Sequence, residues 1–172
     1  MRVTIVGCGY VGMELARQLA ERGHDVSGVR RSDNGLAAFR ELGEGVDESG
    51  GGVSAVRADA TDPASLESLP DADAVVFAAS SGGRGAEAAR SVYVDGLRNV
   101  VDEYGSRART PDRIVYTSST GVYGDHDGAW VDEETPIDPT TEKTRVLAEA
   151  ERVALAEADE AGIDGTVARF AG

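Results

Sequence analysis

Three glycines near the amino terminus have the spacing of a phosphate-binding turn. The segment "GCGYVG" matches G-x-G-x-x-G at Gly7, Gly9 and Gly12. In such a turn the first glycine permits a tight bend, the second lets the backbone approach a pyrophosphate, and the third lets a helix pack on the preceding strand. Free N–H groups near Tyr10 and Val11, where a helix would open, would hold the phosphates. Three glycines can be purely conformational, but their place between an apolar strand pattern and an amphipathic helix pattern predicts dinucleotide binding.

Two cations follow the second predicted strand. An Asp or Glu is expected at this place when the ligand carries a free ribose 2′-hydroxyl, whereas this chain has "VRRS", with Arg30 and Arg31. Guanidinium groups favour a 2′-phosphate. We therefore expect NADP, with NAD as the second choice; the alternative is that both arginines are solvated loop charges.

The elements needed to position these residues alternate along the chain. Apolar and β-branched runs predict six strands, and the segments between them carry helical patterns or turn residues. Such alternation predicts βαβ units and an α/β fold with one doubly wound parallel sheet, in the order 3-2-1-4-5-6 of a Rossmann fold, forming a single domain over 1–172. The predicted strands are 3–6, 25–29, 53–57, 74–79, 113–118 and 166–170, and the two longest predicted helices are 86–104 and 140–161.

The charge balance narrows the range of partners. The chain has 31 acidic and 17 basic residues and a formal net charge of −14, which disfavours nucleic acid and anionic membranes as partners. Lys143 is the only lysine. This acidic, lysine-poor composition resembles that of proteins from salt-loving archaea; a GC-rich genome, which also replaces Lys by Arg, is the alternative explanation.

The sequence shows no targeting or membrane signal. The apolar runs are much shorter than the ~20 residues of a membrane helix, and the chain opens directly on a strand pattern rather than on a secretory signal. Cys8 is the sole cysteine, so no internal disulfide can form, and a buried packing role is expected for it. We expect a soluble, cytoplasmic protein. The acidic segment "DHDG" at 125–128 is expected to be a solvated loop, and no metal site is predicted.

Several segments, taken in order, resemble the extended short-chain dehydrogenase/reductase family, the group of NAD(P)-dependent epimerases and dehydratases. They are "GCGYVG", "ADATDP", "VVFAAS", "YVDGLRNVVDEY" and "RIVYTSSTGVYGD". The resemblance implies that Asp59 and Ala60 contact the adenine ring and that Ala78, Ala79 and Ser80 line the cofactor. It also implies a homodimer formed through the two long helices. Extended members continue into a further region that builds most of the substrate site. We expect this chain to lack that region, either because it is truncated or because it is a reduced protein that kept the cofactor domain.

The resemblance also implies a catalytic serine. Ser119 lies four residues before Tyr123, where the family keeps the Ser or Thr that hydrogen-bonds the reacting oxygen. Its neighbours Ser118 and Thr120 could substitute, and capping of a strand end is the alternative role for this cluster. Tyr123 is expected to form a wall of the substrate pocket, with a role as substitute proton donor left open.

The family's Tyr-x-x-x-Lys pair is missing. Counting back from Glu149, the tyrosine place falls on Thr141 and the lysine place on Arg145. An aliphatic hydroxyl is too weak an acid to replace a phenol, and Arg keeps its proton in proteins. Losing a positioned acid or base typically lowers the rate by ~10²–10⁴. Arg145 could still hold the nicotinamide ribose as a fixed cation.

Two functions therefore remain. The first is an epimerase- or dehydratase-like oxidoreductase that transfers hydride on a hydroxyl or carbonyl carbon of an unknown small molecule, with Ser119 polarising the oxygen. The second is a non-catalytic NADP(H) sensor or scaffold, which the absent tyrosine favours.

Overall fold

One parallel sheet organises the molecule. The computed structural model describes residues 1–45, 50–82 and 85–171. Its six strands all run parallel, in the order β3-β2-β1-β4-β5-β6, which confirms the predicted doubly wound topology. The strands are β1 (Arg2–Val6), β2 (Asp25–Arg30), β3 (Val53–Arg57), β4 (Ala74–Phe77), β5 (Arg113–Ser119) and β6 (Asp164–Phe170).

Helices connect the strands and cover both faces of the sheet. Two long helical runs, α4 and α5, each contain a π-helical segment, and a 3₁₀ turn, Thr120–Tyr123, follows β5. None of the helices within the described ranges has the length and apolarity needed to cross a membrane. The helices are α1 (Tyr10–Glu21), α2 (Asp33–Glu44), α3 (Pro63–Leu66), α4 (Ala86–Arg90, Ser91–Asp95 and Gly96–Gly105) and α5 (Glu142–Arg152, Val153–Glu157 and Ala158–Glu160).

The core lies on both sides of the sheet because successive strand residues point to opposite faces. Ile5 and Val76 pack with α1 and α2 on one face. Phe77 and Tyr116 pack with α3, α4 and α5 on the other. All the strands run in one direction, so their carboxyl ends meet at one edge of the sheet, where a doubly wound fold binds its ligands.

Several predicted boundaries were wrong by one to three residues. β4 ends at Phe77 rather than at 79. The Ala78 N–H still bonds the Val6 carbonyl at 2.8 Å, but beyond this bond the chain leaves the sheet and packs on the glycine turn. β6 begins at Asp164 rather than at 166, continuing the pairing with β5 to Arg113. The helix predicted from 140 begins at Glu142.

The sequence pattern predicts a short helix at 36–42, and α2 is longer than this because the Ser32 hydroxyl caps it by accepting the Gly35 N–H at 3.2 Å. The glycine-rich segments 43–52 and 80–85 are predicted to be loops, and both lie partly outside the described residues.

Candidate functional site

The glycine turn joins β1 to α1 at the carboxyl edge of the sheet. Gly7 has φ +94°, and a Cβ there would overlap the backbone of Ala79. A Cβ on Gly12 would lie 2.7 Å from the Gly7 carbonyl oxygen and 3.2 Å from Ile5. A Cβ on Gly9 would meet nothing within 4 Å. Gly7 and Gly12 therefore allow close packing, whereas Gly9 leaves a face of the turn open.

The first turn of α1 directs free amides toward this open face. Its first backbone hydrogen bond runs from Met13 N to Gly9 O at 2.9 Å, so the N–H groups of Tyr10, Val11 and Gly12 precede the hydrogen-bonded part of the helix. The side chain of Tyr10 is 92% exposed and that of Val11 is also exposed. What these two positions offer a ligand is thus their backbone and the positive end of the helix dipole.

A cavity of about 380 Å³ lies beside the turn, at the carboxyl ends of β1, β2, β3 and β4. Most of the residues predicted to bind the cofactor line it, whereas Tyr10, Val11 and Gly12 do not. The predicted residues that line it are Gly7, Gly9, Arg30, Arg31, Asp59, Ala60, Ala78, Ala79 and Ser80.

Six further lining residues were missed by sequence reasoning. Five of them lie at the carboxyl ends of strands or within four residues after them, a position that could have identified them. The sixth, Val92, comes from the π-helical segment of α4, which no sequence pattern indicated. The six are Val6, Val29, Ser32, Ala58, Thr61 and Val92.

The two arginines after β2 are held differently. The Arg30 guanidinium donates to the carbonyl of Cys8, inside the glycine turn, and lies against Gly35. The side chain of Arg31 is 61% exposed and reaches across the cavity to Asp59, with 3.5 Å between Nη1 and Oδ2. Arg30 is therefore part of the cavity wall, whereas Arg31 is an exposed cation with a weak partner.

Asp59 presents an ionised carboxylate to the cavity. Burial opposes ionisation, but the N–H and hydroxyl of Thr61, at 3.0 and 2.8 Å, and the charge of Arg31 outweigh it and lower the pKa of Asp59. Its cavity-facing position leaves it able to accept a hydrogen bond from a ligand amine.

Ser119 lies at the end of β5, outside the residues that line this cavity. Its hydroxyl accepts the Gly121 N–H at 3.2 Å and so caps the 3₁₀ turn. Its neighbour on β6 is Phe170, whose carbonyl accepts the hydroxyl of Thr120 at 3.4 Å. A Cβ on Gly121 would lie 3.5 Å from both Ser119 Oγ and Thr144 Cγ2, so these two side chains flank Gly121.

Thr141 and Arg145, which occupy the positions of the family's Tyr and Lys, lie at the amino end of α5 and hydrogen-bond to its first residues or to those just before it. Thr141 is its N-cap: the Thr141 hydroxyl accepts the Thr144 N–H at 3.1 Å, and the Thr144 hydroxyl accepts the Thr141 N–H at 3.0 Å. The exposed Arg145 donates to the carbonyl of Thr140 at 3.3 Å. The structure thus brings Thr144 beside Ser119, and it shows no contact between Ser119 and Thr141 or Arg145 among the described residues.

Comparison with known families gives a match over nearly the whole chain. The model of the NAD dependent epimerase/dehydratase family matches residues 3–171. The chain belongs to this family.

Two relatives show how much of their own length the chain spans. The Escherichia coli K12 protein YeeZ is 37% identical over 155 residues, which cover 87% of this chain and 52% of YeeZ. A Methylobacillus flagellatus protein, assigned to the NAD-dependent epimerases/dehydratases, is 31% identical with a TM-score of 0.71, covering 99% of this chain and 54% of its own. The chain therefore spans about half the length of these relatives.

The fold is shared with enzymes of known substrate. UDP-glucuronic acid 4-epimerase from Bacillus cereus, solved in complex with NAD, has a TM-score of 0.77 at 19% identity, covering 99% of this chain and 56% of its own. At this identity the likeness concerns the fold alone. The family membership and the cavity together indicate a nicotinamide dinucleotide as the ligand.

This family member also carries a buried ionic cluster beside Ser119, which sequence reasoning missed. Glu151, 3% exposed, accepts from the Ser118 hydroxyl at 2.6 Å and from two nitrogens of Arg169. Arg169 also donates to the Tyr123 hydroxyl at 2.7 Å, and that hydroxyl donates to the Asp132 carbonyl at 2.6 Å. Tyr123 therefore holds the loop 124–141 in place, and its proton is committed to a carbonyl.

Proposed function

We propose that this chain binds NADP(H) and forms the dinucleotide-binding half of an oxidoreductase acting on a hydroxyl or carbonyl carbon. The observation that carries the proposal is the cavity itself, which is bounded by the open face of Gly9 on one side and by Arg31 and Asp59 on the other. A dinucleotide needs such a site: amides for its pyrophosphate and a polar end for its adenosine.

The end of β2 supports NADP over NAD. Arg30, Arg31 and Ser32 line the cavity there, and the acidic residue that would accept a ribose 2′-hydroxyl is replaced by arginine. Asp33, the acidic residue in the first turn of α2, is ion-paired with Arg57. A 2′-phosphate would therefore meet cations and the amino end of α2.

Each group of residues has its own task in this proposal. The bound nicotinamide would supply or accept hydride. The glycine turn and α1 hold the pyrophosphate, Arg31 and Ser32 hold the 2′-phosphate, and Asp59 accepts from the adenine amine. Ser119 accepts the Gly121 N–H, which leaves its own proton free to polarise a substrate oxygen.

The substrate class is carried by the family alone. Epimerases that share the fold act on UDP-linked sugars, as the names of the UDP-galactose and UDP-glucuronic acid enzymes state. We propose a sugar nucleotide or a related hydroxyl compound for this chain.

Titration with NADPH and NADH in molar KCl tests the proposal, with nicotinamide fluorescence and melting temperature as readouts. We expect tight NADPH binding and weaker NADH binding. Binding of neither would contradict the proposal, and tighter NADH binding would contradict the NADP preference. A non-catalytic sensor would be stabilised by NADPH without ever consuming it in a screen of sugar nucleotides and carbonyl compounds.

A homodimer through α4 and α5 is part of the proposal. These helices pack side by side and are joined by the ion pairs Arg90–Glu149 and Arg98–Glu157, and Leu155 is 46% exposed on α5. A monomer on a sizing column in high salt would contradict it.

A further inference from the structure

The missing tyrosine directs attention to the phenols that the chain does contain. It has five tyrosines, all within the described residues. Two of them give their proton to a carbonyl: Tyr123 to Asp132 at 2.6 Å and Tyr104 to Pro70 at 3.1 Å. Both are buried, so neither can exchange a proton with a substrate.

Two other tyrosines are unsuited to proton transfer, one because it is fully buried and the other because it is fully exposed. Tyr116 is 1% exposed, and its hydroxyl is buried without a hydrogen-bond partner among the described residues. Tyr10 is 92% exposed on the first turn of α1, so its side chain lies in solvent rather than against the protein.

Tyr93 is the remaining phenol, and the fold brings it next to two residues that line the cavity, Val92 and Ser80. It lies in the π-helical segment of α4, next to the lining residue Val92. Its hydroxyl accepts the N–H of Ser81 at 3.4 Å, and Ser81 follows the lining residue Ser80. Because this hydroxyl accepts a hydrogen bond, its own proton remains free to be donated. π-Helical segments are rare and often occur at functional sites.

Tyr93 is the most accessible of three neighbouring titratable side chains, the other two being Tyr116 and Glu151. Burial, with Tyr93 and Glu151 as neighbours, raises the pKa of Tyr116 on β5. Glu151 on α5 is itself held by Arg169 and Ser118. On α4, Arg90 and Asp95 are exposed and ion-paired with Glu149 and Arg98. Tyr93 itself is half-buried.

We propose that Tyr93 is the proton-transfer residue of this chain, replacing the tyrosine absent from α5. The inference rests on the proposed function. In the reducing direction the carbonyl carbon receives hydride, with both electrons, from the reduced nicotinamide. The C=O π electrons move to oxygen, Tyr93 gives that oxygen a proton, and the phenolate regains a proton from water. The reverse direction uses the phenolate as the base.

Titration of tyrosine absorbance in the near ultraviolet tests this without a known substrate. The wild type and the Tyr93→Phe variant are titrated with and without saturating NADP⁺. The cationic nicotinamide should lower the pKa of a phenol beside it by about 1 unit or more. We expect one phenol to shift on NADP⁺ binding in the wild type and no shift in Y93F.

Two controls make the result decisive. Tyr104→Phe removes a hydroxyl that bonds Pro70, a residue outside the cavity lining, and should keep the shift. Melting temperature and NADP⁺ affinity show that Y93F folds and binds, since it loses only one long hydrogen bond. A wild type that binds NADP⁺ without any phenol shifting, or a shift that persists in Y93F, overturns the role of Tyr93. Absence of NADP⁺ binding overturns the proposed function instead.

Discussion

The carboxylate of Glu151 on α5 receives two hydrogen bonds from the guanidinium of Arg169 on β6, at 3.0 Å from Nε and 2.7 Å from Nη2. Arg169 pairs with Ser118 in the sheet, and the next pair is Ser119 with Phe170. The ion pair therefore fixes the ends of β5, β6 and α5 around the proposed catalytic serine.

Arg169→Met should lower the free energy of unfolding by about 3–5 kcal/mol, because it leaves the buried carboxylate of Glu151 without its cation. Arg113→Met is a matched control, since its partner Asp164 is exposed and such a pair contributes at most about 1 kcal/mol. Urea unfolding in molar KCl measures both. Equal losses would show that burial of the Glu151 pair has no energetic effect.

Substitutions in the glycine turn should separate folding from binding. Gly7→Ala should lower the melting temperature, because a Cβ there overlaps Ala79 at a positive φ. Gly9→Val should leave the melting temperature nearly unchanged but abolish NADPH binding, because a Cβ there meets no atom within 4 Å and places the side chain on the open face of the turn. Tight NADPH binding by Gly9→Val would contradict the placement of the pyrophosphate.

Arg31→Gln should weaken NADPH binding about 10-fold, because a charge-assisted hydrogen bond contributes roughly 1.5–3 kcal/mol and salt screens this exposed side chain. NADH binding should change little, since NADH lacks the 2′-phosphate. Isothermal titration calorimetry measures both affinities, and Arg22→Gln, at the far end of α1, serves as the control. Equal losses of affinity for NADPH and NADH would show that Arg31 does not bind the 2′-phosphate.

Thr141→Ala should lower the free energy of unfolding by about 1 kcal/mol, because the N-cap of α5 loses its side-chain acceptor. Thr141→Asp should keep the stability, since a carboxylate caps a helix equally well and favours its positive end. Thermal unfolding measures both variants. If Thr141→Ala were as stable as the wild type, the capping role would be wrong.

Cys8 should be inert to iodoacetamide near pH 8, because burial raises the pKa of its thiol to about 12. Burial of this thiol also makes the stability depend on pH. Between pH 9.0, the ordinary thiol pKa, and about pH 12, the unfolded chain loses the thiol proton while the folded chain keeps it. Stability should therefore fall by about 1.4 kcal/mol per pH unit above pH 9, and Cys8→Ala should lack this part of the decline. Rapid alkylation of the folded protein would contradict the burial.

Local features of the sequence determined the architecture and the position of the site. Strand and helix periods follow from backbone geometry, and the glycine spacing is a steric requirement of one turn, so the sheet order and the family could be predicted. Glycine spacing and the position at the end of β2 predicted Gly7, Gly9, Arg30 and Arg31 as cofactor-binding residues, and the family resemblance added Asp59; all five line the cavity.

Only the tertiary structure decided which side chains are engaged with which partners. Glu149 and Glu151 are the same residue type, two positions apart on one predicted helix, and nothing in the sequence distinguishes them. In the structure Glu149 pairs with Arg90 at the surface, whereas Glu151 is buried against Arg169. The choice depends on which face of α5 packs on the sheet. The phenol of Tyr93 likewise reaches Ser81 from the π-helical segment of α4, which no local pattern in the sequence indicates. The rotation of a helix about its axis is set by long-range packing. This rotation decides which side chain of α4 reaches Ser81 after β4 and which carboxylate of α5 is buried.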